Sequence, residues 1–227
     1  MNKLSKFIIL MIVSISAWAL SLSDISNTDA SSGLKEALTQ GTTQAIGSLG
    51  KADGFLGNPA VKIPLPGGLA KAESVLRMAG MSKQADELVT AMNRAAEAAV
   101  PEAKPLMLNA VKSMTVTDAK NILTGGNESV TQFFKAKTSD QLTQQFLPII
   151  KKYTANVGLA QKYDQLAAKG TQLGLIKPED SNIDNYVARA TLDGLYKMIG
   201  EEEKNIRANP MQAAGSMAQK VFGAIGK

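Results

Sequence analysis

The chain has 227 residues, 25 lysines and arginines against 20 aspartates and glutamates, a formal charge of +5, and neither cysteine nor histidine. Without cysteine there is no disulfide, thiolate nucleophile or sulfur-bound metal; without histidine there is no Ser-His-Asp triad, zinc site of the usual kind or imidazole general base. The basic excess is small and interspersed with acids, which gives no nucleic-acid footprint.

Lys3 and Lys6 precede an apolar run from Phe7 to Ile15 and the small-residue motif Ser16-Ala17-Trp18-Ala19. This pattern predicts a secretory signal peptide over residues 1–19, cut after Ala19. Loss of the two lysines then lowers the charge from +5 to +3. The run is shorter than the roughly 20 residues that span a bilayer, so the mature chain is expected to carry no transmembrane segment. With no cysteine at the cut it is expected to be released, unlipidated, into the periplasm; an uncleaved N-terminal anchor is the alternative. Residues 20–32 are rich in Ser, Asp and Asn and read as a flexible leader.

From Gly33 to Leu49 apolar residues recur at helical spacing. Pro59, Pro64 and Pro66 then forbid regular helix, so residues 53–68 read as a loop carrying the apolar residues Phe55, Leu56, Ile63 and Leu65. Helices are expected over Leu69–Ala79 and, with Ser82 as N-cap, through Leu88, Met92 and Ala99. Pro101 opens a helix bearing Met107 and Met114, and Thr117 is expected to cap a short one over Asp118–Leu123 that stops at Gly125-Gly126. Asn127 is read as the cap of a helix with Phe133 and Phe134. Thr138 with Gln141 forms a capping box that starts another, running to Tyr153 and kinked at Pro148.

A helix over Val157–Leu173, a polar connector over Leu175–Asn182, and a long helix over Ile183–Ala208 follow. Asn209-Pro210 opens the last, short helix. No alternating strand pair and no internal repeat appears. The expected architecture is all-α: a single compact orthogonal domain of about nine helices over residues 33–227, with the ten methionines as ordinary core filling.

Gly54-Phe55 with Val61-Lys62-Ile63-Pro64-Leu65-Pro66, Asn93-Arg94-Ala95-Ala96-Glu97, Asp118-Ala119 with Ile122-Leu123, and Glu203-Lys204-Asn205-Ile206-Arg207 with Asn209-Pro210 occur in this order. Taken together, over about Leu34–Phe222, they resemble the bacterial family called domain of unknown function 4197. The resemblance implies a helical, exported protein and supplies no catalytic residues.

Asn93, Arg94 and Glu97 lie three or four apart, so all three project to one side of their helix, as a polar ligand site or as a network that fixes packing. Phe55, Ile63 and Leu65 are placed either to wall a pocket or to cover the core. Gly125-Gly126-Asn127 ahead of a helix reads as a cap rather than an anion site, since no Gly-x-x-x-x-Gly-Lys pattern accompanies it. Asp193–Lys197 and Glu203–Arg207 are i,i+4 pairs supporting an exposed helix face. Glu202 shares the inward stripe with Met198 and Ile206 and needs a partner, for which Arg94 is a candidate by charge. Asp86, Glu97, Asp118 and Glu202 are the acids nearest apolar surroundings, but no spacing selects a catalytic pair. The expected function is a non-catalytic binding module, without cofactor or metal, for a small apolar ligand or an envelope protein, with Phe55, Ile63, Leu65, Asn93, Arg94, Glu97, Asp118, Glu202 and Arg207 as the candidate site. The alternatives are a carboxylate-based hydrolase and a structural envelope protein.

Overall fold

The computed structural model describes residues 26–67, 82–126, 128–172 and 182–225, together with Met78 and Gly80. The expected signal peptide, the first part of the leader, the helix over Leu69–Ala79, the Asn127 cap and most of the Leu175–Asn182 connector lie outside the described residues.

α1 spans Asn27–Leu49. It begins at Asn27 rather than Gly33, because the hydroxyl of Ser26 accepts the N–H of Asp29 at 3.0 Å and caps the first turn. After a turn-rich loop over residues 50–66 comes α2, Ser82–Ala99, whose buried face includes Leu88, Met92, Asn93 and Ala96. A 3-10 turn, Val100–Ala103, leads into α3, Lys104–Lys112. α4, Val116–Thr124, is capped by Thr115, not Thr117: the Thr115 hydroxyl accepts the N–H of Asp118, and Asp118 at the third helical position accepts the N–H of Thr115 in return.

α5 runs unbroken over Ser129–Thr154. Two expected helices are therefore one, and among the described residues the α-helices number fewer than nine. Thr138 does not cap a new helix, because its hydroxyl donates back to the carbonyl of Phe134 at 2.7 Å and lies 2.9 Å from the hydroxyl of Tyr196. The tertiary contact outweighs a local capping preference. Pro148 sits inside α5 without ending it; both Pro148 and Gln144, whose carbonyl loses its helical partner there, are exposed, so that carbonyl is not buried unpaired.

α6, Gly158–Gln172, and α7, Ile183–Ala208, follow, the latter capped by the side chain of Asn182 on the N–H of Asn185. A 3-10 turn, Pro210–Gln212, leads to α8, Ser216–Ile225. No strand occurs among the described residues, so the fold is an all-α, compact multi-helix packing.

α5 lies along α7 and along α2, while α1 packs against α7 and α8. Tyr196, Phe55, Phe134, Phe146 and Phe222 are the largest fully buried side chains. Met92, Met107 and Met114 are buried and Met198 is half-buried, as expected of core filling, whereas Met78 and Met211 are exposed and do not fill the core. Two glycines allow close approach between elements: a Cβ on Gly33 would meet Val221 Cγ2 at 2.6 Å, and one on Gly194 would meet Phe55 Cε1 at 2.8 Å. α8 and the 50–66 loop therefore seat directly against the α1 and α7 backbones.

Candidate functional site

The loop of residues 50–66 makes turn bonds of its own, but the N–H groups of Phe55, Leu56 and Ile63 have no backbone partner within it and must be satisfied from outside. α2 supplies them. The side-chain amide of Asn93 accepts the N–H of Ile63 at 2.8 Å and donates to the Ile63 carbonyl at 2.9 Å, which reproduces one rung of a β-ladder with a side chain. It also donates to the Val89 carbonyl of its own helix at 2.8 Å. One turn on, Glu97 Oε1 accepts the N–H groups of Phe55 and Leu56, each at 3.0 Å.

Glu97 Oε2 takes the Arg94 guanidinium at 2.6 Å, and the other arm of Arg94 reaches Asp53 at 2.8 Å. The Glu97 bond, then the Asp53 bond, hold the guanidinium pKa above its ordinary value. Asp53 has φ 64, a left-handed backbone that aspartate tolerates better than most residues, and its bond to Arg94 fixes that turn. From α7, Lys197 donates to the Ala60 carbonyl at 2.9 Å and the Tyr186 hydroxyl to the Pro64 carbonyl at 3.1 Å. Phe55, Ile63 and Leu65 are thus turned into the core at 0%, 1% and 5% exposure, with Phe55 against Gly194. The structure brings Asn93, Arg94, Glu97, Phe55 and Ile63 together as one clamp, in which each polar atom of Asn93 and Glu97 has a protein partner.

The other expected site residues lie elsewhere. Glu202 is half-buried, and the carboxylate that faces the core is its neighbour Glu203, 3% exposed. Glu203 is paired with Arg207, which also donates to the Ile122 carbonyl at 3.2 Å and stacks over the Phe222 ring, 5.6 Å from its centre. Arg94 is therefore not the partner of Glu202, and Glu203–Arg207 is not an exposed pair. The expected stripe of α7 is largely buried, with Ile183, Val187, Gly194, Leu195, Ile199 and Ile206 inside and Met198 half-buried, but the acid on that face is Glu203, not Glu202. Asp193 and Lys197 likewise do not pair with each other, since Asp193 takes Lys135 of α5 at 2.9 Å.

Glu202 borders a small depression with Gln44, Asn205 and Asn209, and no second acid lines it. Asp118 is held below the usual carboxylate range, first by the N–H and then by the hydroxyl of Thr115. It borders an open groove of about 540 Å³ between α4 and α5, which Gly125, Gly126 and Phe133 also line. No group of three or more acidic residues suited to a metal ion occurs among the described residues.

A second recess was not foreseen from the sequence. It is a trough of about 580 Å³ between α1, the end of α3 and the segment before α8, lined by Lys35, Glu36, Gln40, Val111, Lys112 and Gly215 among others. Its walls come from distant parts of the sequence, with Gln40 of one wall bonded to Ala214 of the other across 174 residues, so no local pattern could reveal it.

Among its described residues the chain is thus a helical domain with a clamped loop, no metal cluster and no helix long and apolar enough to cross a membrane. The model of the family described as protein of unknown function DUF4197 matches residues 24–223, and the chain belongs to that family. No curated protein and no solved structure matches the chain.

Proposed function

We propose that this chain is a non-catalytic binding domain of the bacterial envelope, exported by its first 19 residues and acting on a small, largely apolar ligand. The observation that carries the reading is the commitment of its acids. Hydrolysis without histidine needs two carboxyl groups flanking one open reaction site, one free to ionise and one to hold a proton. Glu97 is spent on two backbone N–H groups and Arg94, Glu203 on Arg207, and Asp118 on the α4 cap. Glu202 faces amides. Glu97, Glu203 and Asp118 are each matched where a hydrolase would leave them exposed to substrate, and Glu202 has no second acid beside it.

Native mass spectrometry of the intact chain, purified gently from a periplasmic extract and followed by solvent extraction, tests the reading. The expected result is one small molecule of low polarity per chain. A bare chain that hydrolyses an ester or glycoside panel, with activity lost in Glu202→Gln, would overturn it.

A further inference from the structure

We infer that the trough between α1, α3 and α8 holds a single-chain amphiphile with an anionic head, its tail along α1 and its carboxylate at the Lys35–Lys112 end. The inference rests on the binding reading above and names its ligand class and place.

The trough follows α1 from Lys35 to Gln44, about 14 Å at the 1.5 Å rise of a helix. Val111, Ala214 and Gly215 line it opposite the α1 residues Lys35, Thr39, Gln40, Thr43 and Gln44, and most of the surface it exposes is carbon, as expected where long polar side chains present their stems. Two fastenings keep it from filling with its own side chains. The Gln40 amide is tied at both ends, donating to the Gln212 carbonyl at 3.2 Å and accepting the N–H of Ala214 at 2.6 Å. Glu36, on the exposed side of α1, reaches across to α8, where Oε2 accepts the N–H of Ala218 at 3.1 Å and occupies the space a Cβ on Gly215 would need.

These bonds also set the charge. Glu36 is the one acid of the lining, and its carboxylate is turned to the first turn of α8, where the helix dipole offsets it. Lys35 and Lys112 remain at one end, Lys35 fixed there by donating to the Lys112 carbonyl at 3.1 Å. The rest of the rim is Thr39, Gln40, Thr43 and Gln44, polar and uncharged. An apolar channel with cations at one end only and neutral polar groups along its side is complementary to one acyl chain and one anion. A neutral oil would leave the two ammonium groups without a counter-charge, and a polyanion would find no cation beyond that end.

The test titrates the intact chain with 11-(dansylamino)undecanoate and competes the bound probe with laurate or with dodecanol. Saturable fluorescence is expected, displaced at least tenfold more readily by laurate. Ala214→Trp and, separately, Thr39→Trp fill the trough from exposed positions and are expected to weaken probe binding at least tenfold while circular dichroism and melting stay unchanged. Lys35→Gln with Lys112→Gln is expected to reduce laurate affinity about fivefold, as for a partly exposed ion pair, and to leave dodecanol unaffected. Probe binding indifferent to both tryptophan variants, or equal competition by the alcohol, would overturn the assignment. So would binding confined to phosphatidylglycerol vesicles with none of the monomeric probe, which would make the face a membrane contact. A co-purified molecule that laurate does not displace would sink this assignment while leaving the binding reading intact.

Discussion

Thr42 is fully buried on α1, and its hydroxyl has no hydrogen-bond partner. A buried hydroxyl without a partner costs its desolvation, about 1–3 kcal/mol, and valine has nearly the same shape. Thr42→Val is therefore expected to raise stability by about 1 kcal/mol, read as a higher urea midpoint at unchanged slope. A lower midpoint would mean that the hydroxyl is bonded in solution. Asp118 gives a pH-dependent counterpart. Its carboxyl pKa is lowered in the folded chain by the N–H and hydroxyl of Thr115, so it contributes stability that is present above its unfolded value and lost as the pH falls through the lower folded one. The gap in melting temperature between the parent chain and Asp118→Asn is thus expected to be full at neutral pH and to close below about pH 4. A gap independent of pH would point to the hydrogen bonds alone.

At the level of elements, the loop of residues 50–66 is held by side chains rather than by a ladder of its own. Asn93→Ala would strand the N–H and carbonyl of Ile63, a residue 1% exposed, and is expected to cost about 3 kcal/mol. Glu97→Ala would release the Phe55 and Leu56 N–H groups and leave Arg94 only Asp53, at a similar cost of about 3 kcal/mol. In both variants tryptic cleavage at the exposed Lys51 and Lys62 should speed up well before the helices unfold. Cleavage at the parent rate would show that the loop is held by its apolar residues alone. Gly194→Ala tests the same seat from α7: its methyl would press into the buried ring of Phe55, with an expected loss of about 1–3 kcal/mol by denaturant titration. The Thr138 contact with Tyr196 shows the same rule, since α5 stays whole where a local cap was expected.

Across the whole molecule the two ends of the described chain are stitched together. Lys220 reaches Asp29 at 3.3 Å, Val221 and Met217 seat on Gly33, and Arg207 ties α7 to the Ile122 carbonyl of α4 beneath the Phe222 ring. α8 therefore completes the core instead of decorating it. Phe222→Ala removes a fully buried ring and is expected to cost about 3–4 kcal/mol with one cooperative transition, since α1 passes the loss on to α7. An early, separate transition confined to α8 would contradict this coupling. The same stitching borders the trough, where Glu36 bonds α8 at Ala218 and Gln40 bonds the segment before it.

The sequence by itself determined the helical class, most helix spans, the inward stripe of α7 to within one residue, and the exclusion of cysteine and histidine chemistry. These follow from periodicity and composition, which report interactions between residues three or four apart. It also brought Asn93, Arg94 and Glu97 to one face of α2, without saying what they face. Only the tertiary structure decided that they hold the backbone of Phe55, Leu56 and Ile63, that Glu203 and not Glu202 is buried, that Thr138 bonds Tyr196 within an unbroken α5, and that α1, α3 and the segment before α8 border an open trough. Each of these depends on groups 30 or more residues apart in the chain, or on the rotational phase at which a neighbour packs, and neither quantity is encoded in a local pattern.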